Sequence, residues 1–569
     1  MNKIMRLNLS DGTIITEPVP EKYAQLGGRS LTSQIILDEV DPGCEPLGSR
    51  NKLVFAPGLL GGSFLSSSSR LSVGGKSPLT GGIKEANAGG TAAAALCKLG
   101  IKALIIEGES NSQTSMYLYL DKDKAELRRA NMAGCGIYES ARVIFEQYGD
   151  KVSLILIGPG GERGYAAAGL ANTDVQGRPS RFLGRGGLGA VMGVKGLKGI
   201  VINPTGANMI DYHDRKAFQE LNKELVRLIK ENPVSGEVYP KYGTAAMASR
   251  TNSIHALPTR NFSAGSFEHS DRINGDSLYE LITSRGGDGE TTHACMPGCV
   301  IKCSNVFADS EGKEIVAPLE YETIGLMGSN LGIGSLDDIA KLNYRCNDLG
   351  LDTIEMGAAL GVAMDSGIIP FGDAKAACGL LEEIANETIL GRVLAQGARI
   401  TGLVLGCRRV PVVKGQGMPA YDPRGVKGLG VTYATSPMGA DHTAGNTIRA
   451  EVDHTDPKPQ VELSRKAQPM AMIADMMGLC LFVMPALGPH LDKLARLYNY
   501  YTGIEMSGEG ISQAAVRALN IEHEFNRQAG LTPAQDRLPE FMMDEPLPVS
   551  GSVFDVPVDE LQKATQEIV

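Results

Sequence analysis

Gly177-Arg-Pro-Ser-Arg181-Phe-Leu-Gly184-Arg-Gly186-Gly-Leu-Gly189 is the passage on which the fold turns, because Gly184 to Gly189 spell G-x-G-x-x-G. In a dinucleotide-binding βαβ unit these glycines must follow a buried parallel strand that delivers the chain to the pyrophosphate. Here the preceding residues are polar and contain Pro179, so no buried parallel strand is expected. Gly158-Pro-Gly160 does follow an apolar run, but Pro159, Glu162 and the alanine-rich continuation give no phosphate-binding helix start. A nicotinamide dehydrogenase is therefore disfavoured. The glycines are left to tight turns or to close approach of backbone to a bound group.

Around this passage the first two hundred residues read as β-rich. Met5, Leu7 and Leu9 alternate up to a hairpin signal at Asp11-Gly12, and short apolar runs follow at 53–55, 103–106, 116–120, 152–157 and 200–202. From about Asp211 the period turns helical, with Phe218, Leu221, Leu225 and Leu228 on one stripe. Further helices are expected over 337–348, 353–367, 373–385, 388–404, 511–529 and 557–568, with a polar, glycine-rich stretch at 415–446. The expected class is α+β: a β-rich domain over 1–205, then mainly α domains over 206–410 and 411–569. No internal repeat of 20–50 residues is visible.

The 569 residues are several times a typical single-core length of ~150, so two to four packed units are expected. With 43% apolar and 21% charged residues the chain is an ordinary globular protein, and its net charge of −10 gives no broad attraction to nucleic acid or anionic lipid. The start lacks an apolar h-region, and the most apolar stretch, 471–488, is interrupted by Asp475 and Pro485, which predicts a cytoplasmic chain without a membrane span. The 70 glycines far exceed the roughly 7% of average proteins.

Ten cysteines are too few for a disulfide scaffold of this length, and three are clustered in Cys295-Met-Pro-Gly-Cys299-Val-Ile-Lys-Cys303. Such a cluster suits a soft metal centre. A [4Fe–4S] cube takes four cysteines, commonly three local and one remote. Zinc is the main metal alternative, with His293 as the only nearby histidine.

Several separated motifs now agree in order and spacing. They are Arg70-Leu-Ser-Val-Gly-Gly-Lys-Ser-Pro-Leu-Thr-Gly-Gly, Asn87-Ala-Gly89-Gly90, Arg181 to Lys195, the cysteine cluster, Glu320-Tyr321-Glu322-Thr323, Asn347-Asp-Leu-Gly350-Leu351-Asp352, Tyr421, Ala440-Asp441-His442 and Asp475-Met-Met-Gly478-Leu479-Cys480. From about residue 1 to 490 the chain resembles the tungsten-containing aldehyde:ferredoxin oxidoreductase family. The resemblance implies that the β-rich domain carries a tungsten (or molybdenum) bis-pyranopterin, with Mg2+ at the pterin phosphates as a further expectation. It assigns Arg70, Asn87, Gly89, Arg181, Phe182, Arg185, Lys195, Asn347, Leu351, Asp352, Asp475 and Leu479 to the pterins. Cys480 becomes the fourth ligand of the [4Fe–4S] cluster, beside Cys295, Cys299 and Cys303. Two departures stand out: the family spacing is C-x2-C-x3-C, one residue shorter than here, and Asn347 replaces the aspartate that opens the first pterin loop.

The resemblance also places Glu320, Tyr321, Tyr421 and His442 around the metal. Glutamate can take a proton from water, and histidine can donate to a carbonyl oxygen as it gains charge. The implied reaction oxidises an aldehyde and water to a carboxylic acid, with electrons passing to ferredoxin or an iron–sulfur partner subunit. Related chains act on 2-oxo acids or aromatic rings, and some are homodimers. A non-catalytic iron–sulfur carrier or scaffold would explain four cysteines but leave the pterin-type loops, Glu320 and His442 without work.

Overall fold

The computed structural model describes residues 3–110 and 115–566. Two six-stranded sheets built to one plan occupy the chain up to Ile202. In the first, β1 (Lys3–Asn8), β2 (Thr13–Pro18), β3 (Leu53–Pro57), β4 (Leu71–Lys76), β5 (Ile83–Ala88) and β6 (Ile101–Glu107) lie in the order β2-β1-β6-β3-β4-β5. In the second, β7 (Met116–Leu120), β8 (Ala125–Arg129), β9 (Ser153–Leu156), β10 (Leu170–Asn172), β11 (Arg181–Leu183) and β12 (Leu197–Ile202) lie in the order β8-β7-β12-β9-β10-β11. The sequence of neighbours is the same in both. The pairings match too: β1 with β6 and β7 with β12 are parallel, and every other pair is antiparallel. Helices Gly28–Glu39 and Ile137–Tyr148 occupy equivalent places, as do Ala92–Lys98 and Leu188–Val194.

The strands form where apolar runs can be covered on both faces. β3 and β12 are buried at every residue, and Leu53, Phe55 and Leu104 of the first sheet share a core with Leu118, Ile155 and Ile200 of the second. β11 is a short antiparallel edge strand, so the G-x-G-x-x-G that follows it opens no dinucleotide-binding unit. Gly186 and Gly187 turn there with φ of 82° and 76°, the left-handed conformation that glycine adopts without strain. The first hairpin is looser than the Asp11-Gly12 signal predicts. Its loop spans 9–12, because Gly12 N–H closes back onto the Asn8 carbonyl at 2.9 Å.

Beyond β12 the chain is mainly helical, as an α+β class requires. Helix Arg215–Glu231 is capped by Asp214, whose carboxylate accepts from Ala217 N–H at 2.9 Å, and buries Phe218, Leu221, Leu225 and Ile229. Helices Leu336–Leu349, Thr353–Asp365, Ala374–Ala385, Gly508–Gln528 and Val558–Gln566 match the expected periodic segments; residues 567–568 of the last expectation lie outside the described ones. The helix expected over 388–404 is two, Ile389–Leu394 and Ala398–Leu405, broken at Gly397 with φ 89°. The glycine-rich stretch at 415–446 contains helix Lys427–Thr435, buried at every residue and hence without a polar face to reveal its period. Helix Gln460–Met477 escaped the periodic reading for a similar reason, since 471–477 is buried all round. Among the described residues no single helix is long and apolar enough to cross a membrane.

Candidate active site

The β domain meets the helical region at two equivalent points. Helices Leu336–Leu349 and Gln460–Met477 both end on a left-handed glycine, Gly350 (φ 74°) and Gly478 (φ 78°). Arg70 N–H, just before β4, donates to the Gly478 carbonyl at 3.1 Å; Gly169 N–H, just before β10, donates to the Gly350 carbonyl at 2.9 Å. A Cβ on Gly58 would stand 2.1 Å from the Gly478 nitrogen, and one on Gly158 would stand 2.4 Å from the Leu349 carbonyl carbon. Glycine is therefore required where each helix end seats. Between the seats lies a cavity of about 730 Å³.

One side is organised by Arg70, which donates to the Asn87 carbonyl at 2.9 Å and to the Asn87 side-chain oxygen. Asn87 in turn donates to Asp475 at 3.0 Å, Asp475 accepts from Arg29 at 3.2 Å, and Arg29 forks onto Glu522 at 2.8 and 2.7 Å. Burial raises the Asp475 carboxyl to about 6 against the pull of Arg29. Glu85 lines the same side and burial, reinforced by Asp475, drives it up to about 8. On the other side Arg185 lies 3.4 Å from Asp352 and donates to the Gly417 and Ala440 carbonyls at 2.6 and 3.0 Å. Asp352 also caps helix Thr353–Asp365 through Ile354 N–H at 3.0 Å.

Arg70, Asn87, Gly89, Arg181, Phe182, Arg185, Asn347, Leu351 and Asp352 all line the cavity. Gly89 is needed for close approach, since its Cβ would stand 2.8 Å from the Cys295 sulfur. Asp475 stands one layer back and acts on Asn87, while Leu479 is fully buried in an adjoining core. Lys195 requires correction: it lies outside the cavity lining, and its ammonium donates to the Gly108 and Ser49 carbonyls at 3.0 and 3.5 Å. The reason is local. Helix Leu188–Val194 carries the chain away from the Gly184–Gly187 turn before Lys195 is reached.

Cys295, Cys303 and Cys480 line the cavity, and Cys299 packs against Cys295 and accepts from the Ser67 hydroxyl at 3.5 Å. The Ser67 carbonyl accepts from Cys480 N–H at 2.9 Å, so one residue ties the local cluster to the remote cysteine. The extra residue between Cys295 and Cys299 is taken up in a turn whose Pro297 and Gly298 are exposed, with Gly298 at φ 74°. His293 is held by Asp174 at 2.7 Å and is no fifth candidate. Among the described residues no three His, Cys, Asp or Glu side chains close on one point as a lone zinc ion requires. Burial raises the Cys303 thiol, as do the nearby Glu320 and Cys480, and burial likewise raises Cys480. Four thiols gathered at one side of the cavity are a donor set of the kind a soft metal centre takes.

Glu320, Tyr321, Tyr421 and His442 all line the cavity, and the carboxylate beside His442 is Glu322. His442 Nε2 lies 3.5 Å from Glu322 Oε1, and the other Glu322 oxygen accepts from Ala420 N–H at 2.8 Å. Glu320 instead bonds the Thr244 hydroxyl and lies 3.8 Å from Arg181, beside Cys303. Burial raises both carboxyls; His442 opposes the rise at Glu322, and Arg181 opposes it at Glu320. Tyr321 is pinned by the Ala420 carbonyl and by Thr251 at 2.9 Å, while the Tyr421 ring lies 5.2 Å from Tyr321 and 5.8 Å from His442. Glu322, Glu85 and Lys84, which bonds Asp441 at 2.5 Å, were not singled out from sequence. For Glu322 the signal was present in Glu320-Tyr321-Glu322.

Several buried polar atoms of this lining have no hydrogen-bond partner among the described residues: Glu85 Oε1, Ser180 Oγ, Arg181 Nε, Arg185 Nη1, Glu322 Oε1, Asp352 Oδ2 and His442 Nδ1. Their convergence on one cavity fits a large polar ligand with donors and acceptors at several edges.

Comparisons with known proteins agree across the chain. The family profile "Aldehyde ferredoxin oxidoreductase, N-terminal domain" matches residues 4–204, and the profile for domains 2 and 3 of the same family matches 220–568. A tungsten-containing aldehyde ferredoxin oxidoreductase of Pyrococcus abyssi is 34% identical over 96% of this chain and 92% of its own length. The WOR-like subunit of an aliphatic sulfonate oxidoreductase from Pyrococcus furiosus is 26% identical over 89% of this chain and 82% of its own. Among solved structures, the active-site complex BamBC of benzoyl coenzyme A reductase superposes with a TM-score of 0.81 at 21% identity, covering 100% of this chain and 94% of that one.

Proposed function

Because this chain belongs to the tungsten-containing aldehyde ferredoxin oxidoreductase family, we propose that its cavity holds a tungsten or molybdenum bis-pyranopterin beside a [4Fe–4S] cluster and oxidises an aldehyde with water to a carboxylic acid. The observation that carries this reading is the convergence of orphaned polar groups and cysteine thiols on one cavity. Arg70 and Asn87 would hold one pterin, Arg185 and Asp352 the other, and Cys295, Cys299, Cys303 and Cys480 the cluster. When bound, the metal centre accepts the two electrons released, and the cluster relays them singly to ferredoxin or another iron–sulfur protein.

The chain's own share of the chemistry is proton handling. Conversion of an aldehyde and water to a carboxylate releases two electrons and three protons. Glu322, its carboxyl raised by burial, can take a proton at Oε1, and His442 Nε2 stands beside that oxygen to share it. Among the described residues His442 Nδ1 has no hydrogen-bond partner, and it can donate to the carbonyl oxygen as negative charge grows there. Tyr321 and Tyr421 fix the ring's surroundings and exclude water. Glu320, bonded to Thr244 and near Arg181, belongs with the cysteine side.

The test is composition. Anaerobically purified protein should contain about four Fe per chain for one cube, with one tungsten or molybdenum and extractable pterin. Zinc alone, or tightly bound NAD, would overturn the proposal.

A further inference from the structure

Four arginines line the cavity, and three have a carboxylate or amide side chain beside the guanidinium, although Arg181 and Arg185 keep unbonded nitrogens. Arg181 and Arg185 each face a carboxylate, at 3.8 and 3.4 Å, and Arg70 is clamped onto Asn87. Arg449 differs. Its guanidinium donates through Nη2 to the Tyr239 hydroxyl at 2.6 Å, touches the Met247 sulfur at 3.9 Å and lies 5.2 Å from the centre of the Tyr239 ring. Among the described residues no carboxylate pairs with it, and Nε and Nη1 make no hydrogen bond to the protein. It is exposed while lining the cavity, which places it at the mouth.

Both side chains that Arg449 touches, Tyr239 and Met247, are largely apolar. Tyr239 packs on Phe482 with ring centres 4.3 Å apart, and Met247, Met470 and Met484 line the same cavity. The loop that carries His442 also carries Asn446, which lines the cavity with Tyr421, and then Arg449. One short segment thus bears the proposed proton-handling group and, a few residues on, a cation without a carboxylate partner among the described residues, at the rim of the same cavity. A cation in that position rewards an anion on the far end of a substrate whose other end reaches His442. The planar fork suits a carboxylate.

We infer that Arg449 is a specificity-determining residue that selects aldehydes carrying a carboxylate distal to the reacting carbonyl. This rests on the reading of the cavity as an aldehyde-oxidising centre, and the test separates the two. With holoenzyme, the ratio of kcat/KM for 4-carboxybenzaldehyde over 4-methylbenzaldehyde should exceed one and should fall at raised ionic strength. In Arg449→Met that ratio should drop about tenfold or more, the scale of one charge-assisted hydrogen bond; Arg449→Lys, which keeps the charge without the fork, should fall between. An unchanged ratio in Arg449→Met overturns the inference. If neither aldehyde is oxidised, the proposed reaction fails and calorimetry decides on Arg449 alone. Terephthalate should bind wild-type holoenzyme more tightly than 4-methylbenzoate, and the advantage should shrink about tenfold in Arg449→Met. Equal affinity of the wild type for the two acids, or no binding of terephthalate, overturns it without recourse to any variant.

Discussion

Glu320 and Glu322 flank one tyrosine and differ by a single alternation, yet they serve different neighbours. Glu320 is the residue before helix Tyr321–Met327 and turns to Thr244 and Arg181, whereas Glu322 lies inside its first turn and reaches His442. The sequence shows two carboxylates in the right motif; only the backbone rotation at the helix start tells which one meets the imidazole. Glu322→Gln should therefore lower kcat by about 10²–10⁴-fold, the usual worth of a positioned acid or base. His442→Asn should do likewise. Glu320→Gln keeps an oxygen for Thr244, so its kcat should stay within about tenfold of wild type. Steady-state rates on preparations matched for iron and tungsten check this, and a larger loss for Glu320→Gln than for Glu322→Gln would reverse the assignment.

At the scale of elements, what matters is how two helix ends are seated on the β domain. A sequence with 70 glycines announces close approaches without saying which glycine meets what, because the partner lies hundreds of residues away. The motif at Asp475 to Cys480 was legible, but Gly58 as its seat was not. Gly58→Ala forces a Cβ to 2.1 Å from the Gly478 nitrogen, and Gly478→Ala places a side chain on φ 78°. Each should lower the melting temperature, at a cost of about 1–3 kcal/mol, and reduce bound pterin. Gly379→Ala supplies the contrast. That glycine sits in helix Ala374–Ala385 with nothing within 4 Å of the added Cβ, so the change should be neutral or stabilise by up to about 1 kcal/mol. Pterin loss in Gly379→Ala equal to that in Gly58→Ala would show that the seats are not special.

The whole molecule is a doubled β frame closed by helices, and the doubling was hidden from a search for repeats of 20–50 residues. The two halves share strand order but not residues: Arg70 in one answers to Gly169 in the other. The class and strands β1, β3, β6, β7, β9 and β12 could be read from apolar runs, whereas β4, β5, β8, β10 and β11 could not; nor could all-buried helices such as Lys427–Thr435, since burial on every side erases the period. Global stability should carry a mark of helix Gly508–Gln528, which braces the frame through Glu522. Its His523 is depressed from 6.5 to about 4 by burial and by Lys414. The folded protein keeps this ring neutral where the unfolded chain protonates it, so the stability present above pH 6.5 is lost as pH falls from 6.5 towards 4, by at most about 3 kcal/mol. His523→Gln should flatten that decline, and melting temperatures from pH 7 to 4.5 measure it; parallel curves would exclude His523 as a source. The doubled frame has one more consequence. Two residues beyond Gly350 and Gly478 the segments seated on the two halves diverge, with Cys480 at one station and Asp352 at its counterpart. Under the proposed function the scaffold is duplicated but its wiring is single: current leaves by the thiolate side alone, and the mirrored side acts as an insulator that gives the traffic a direction.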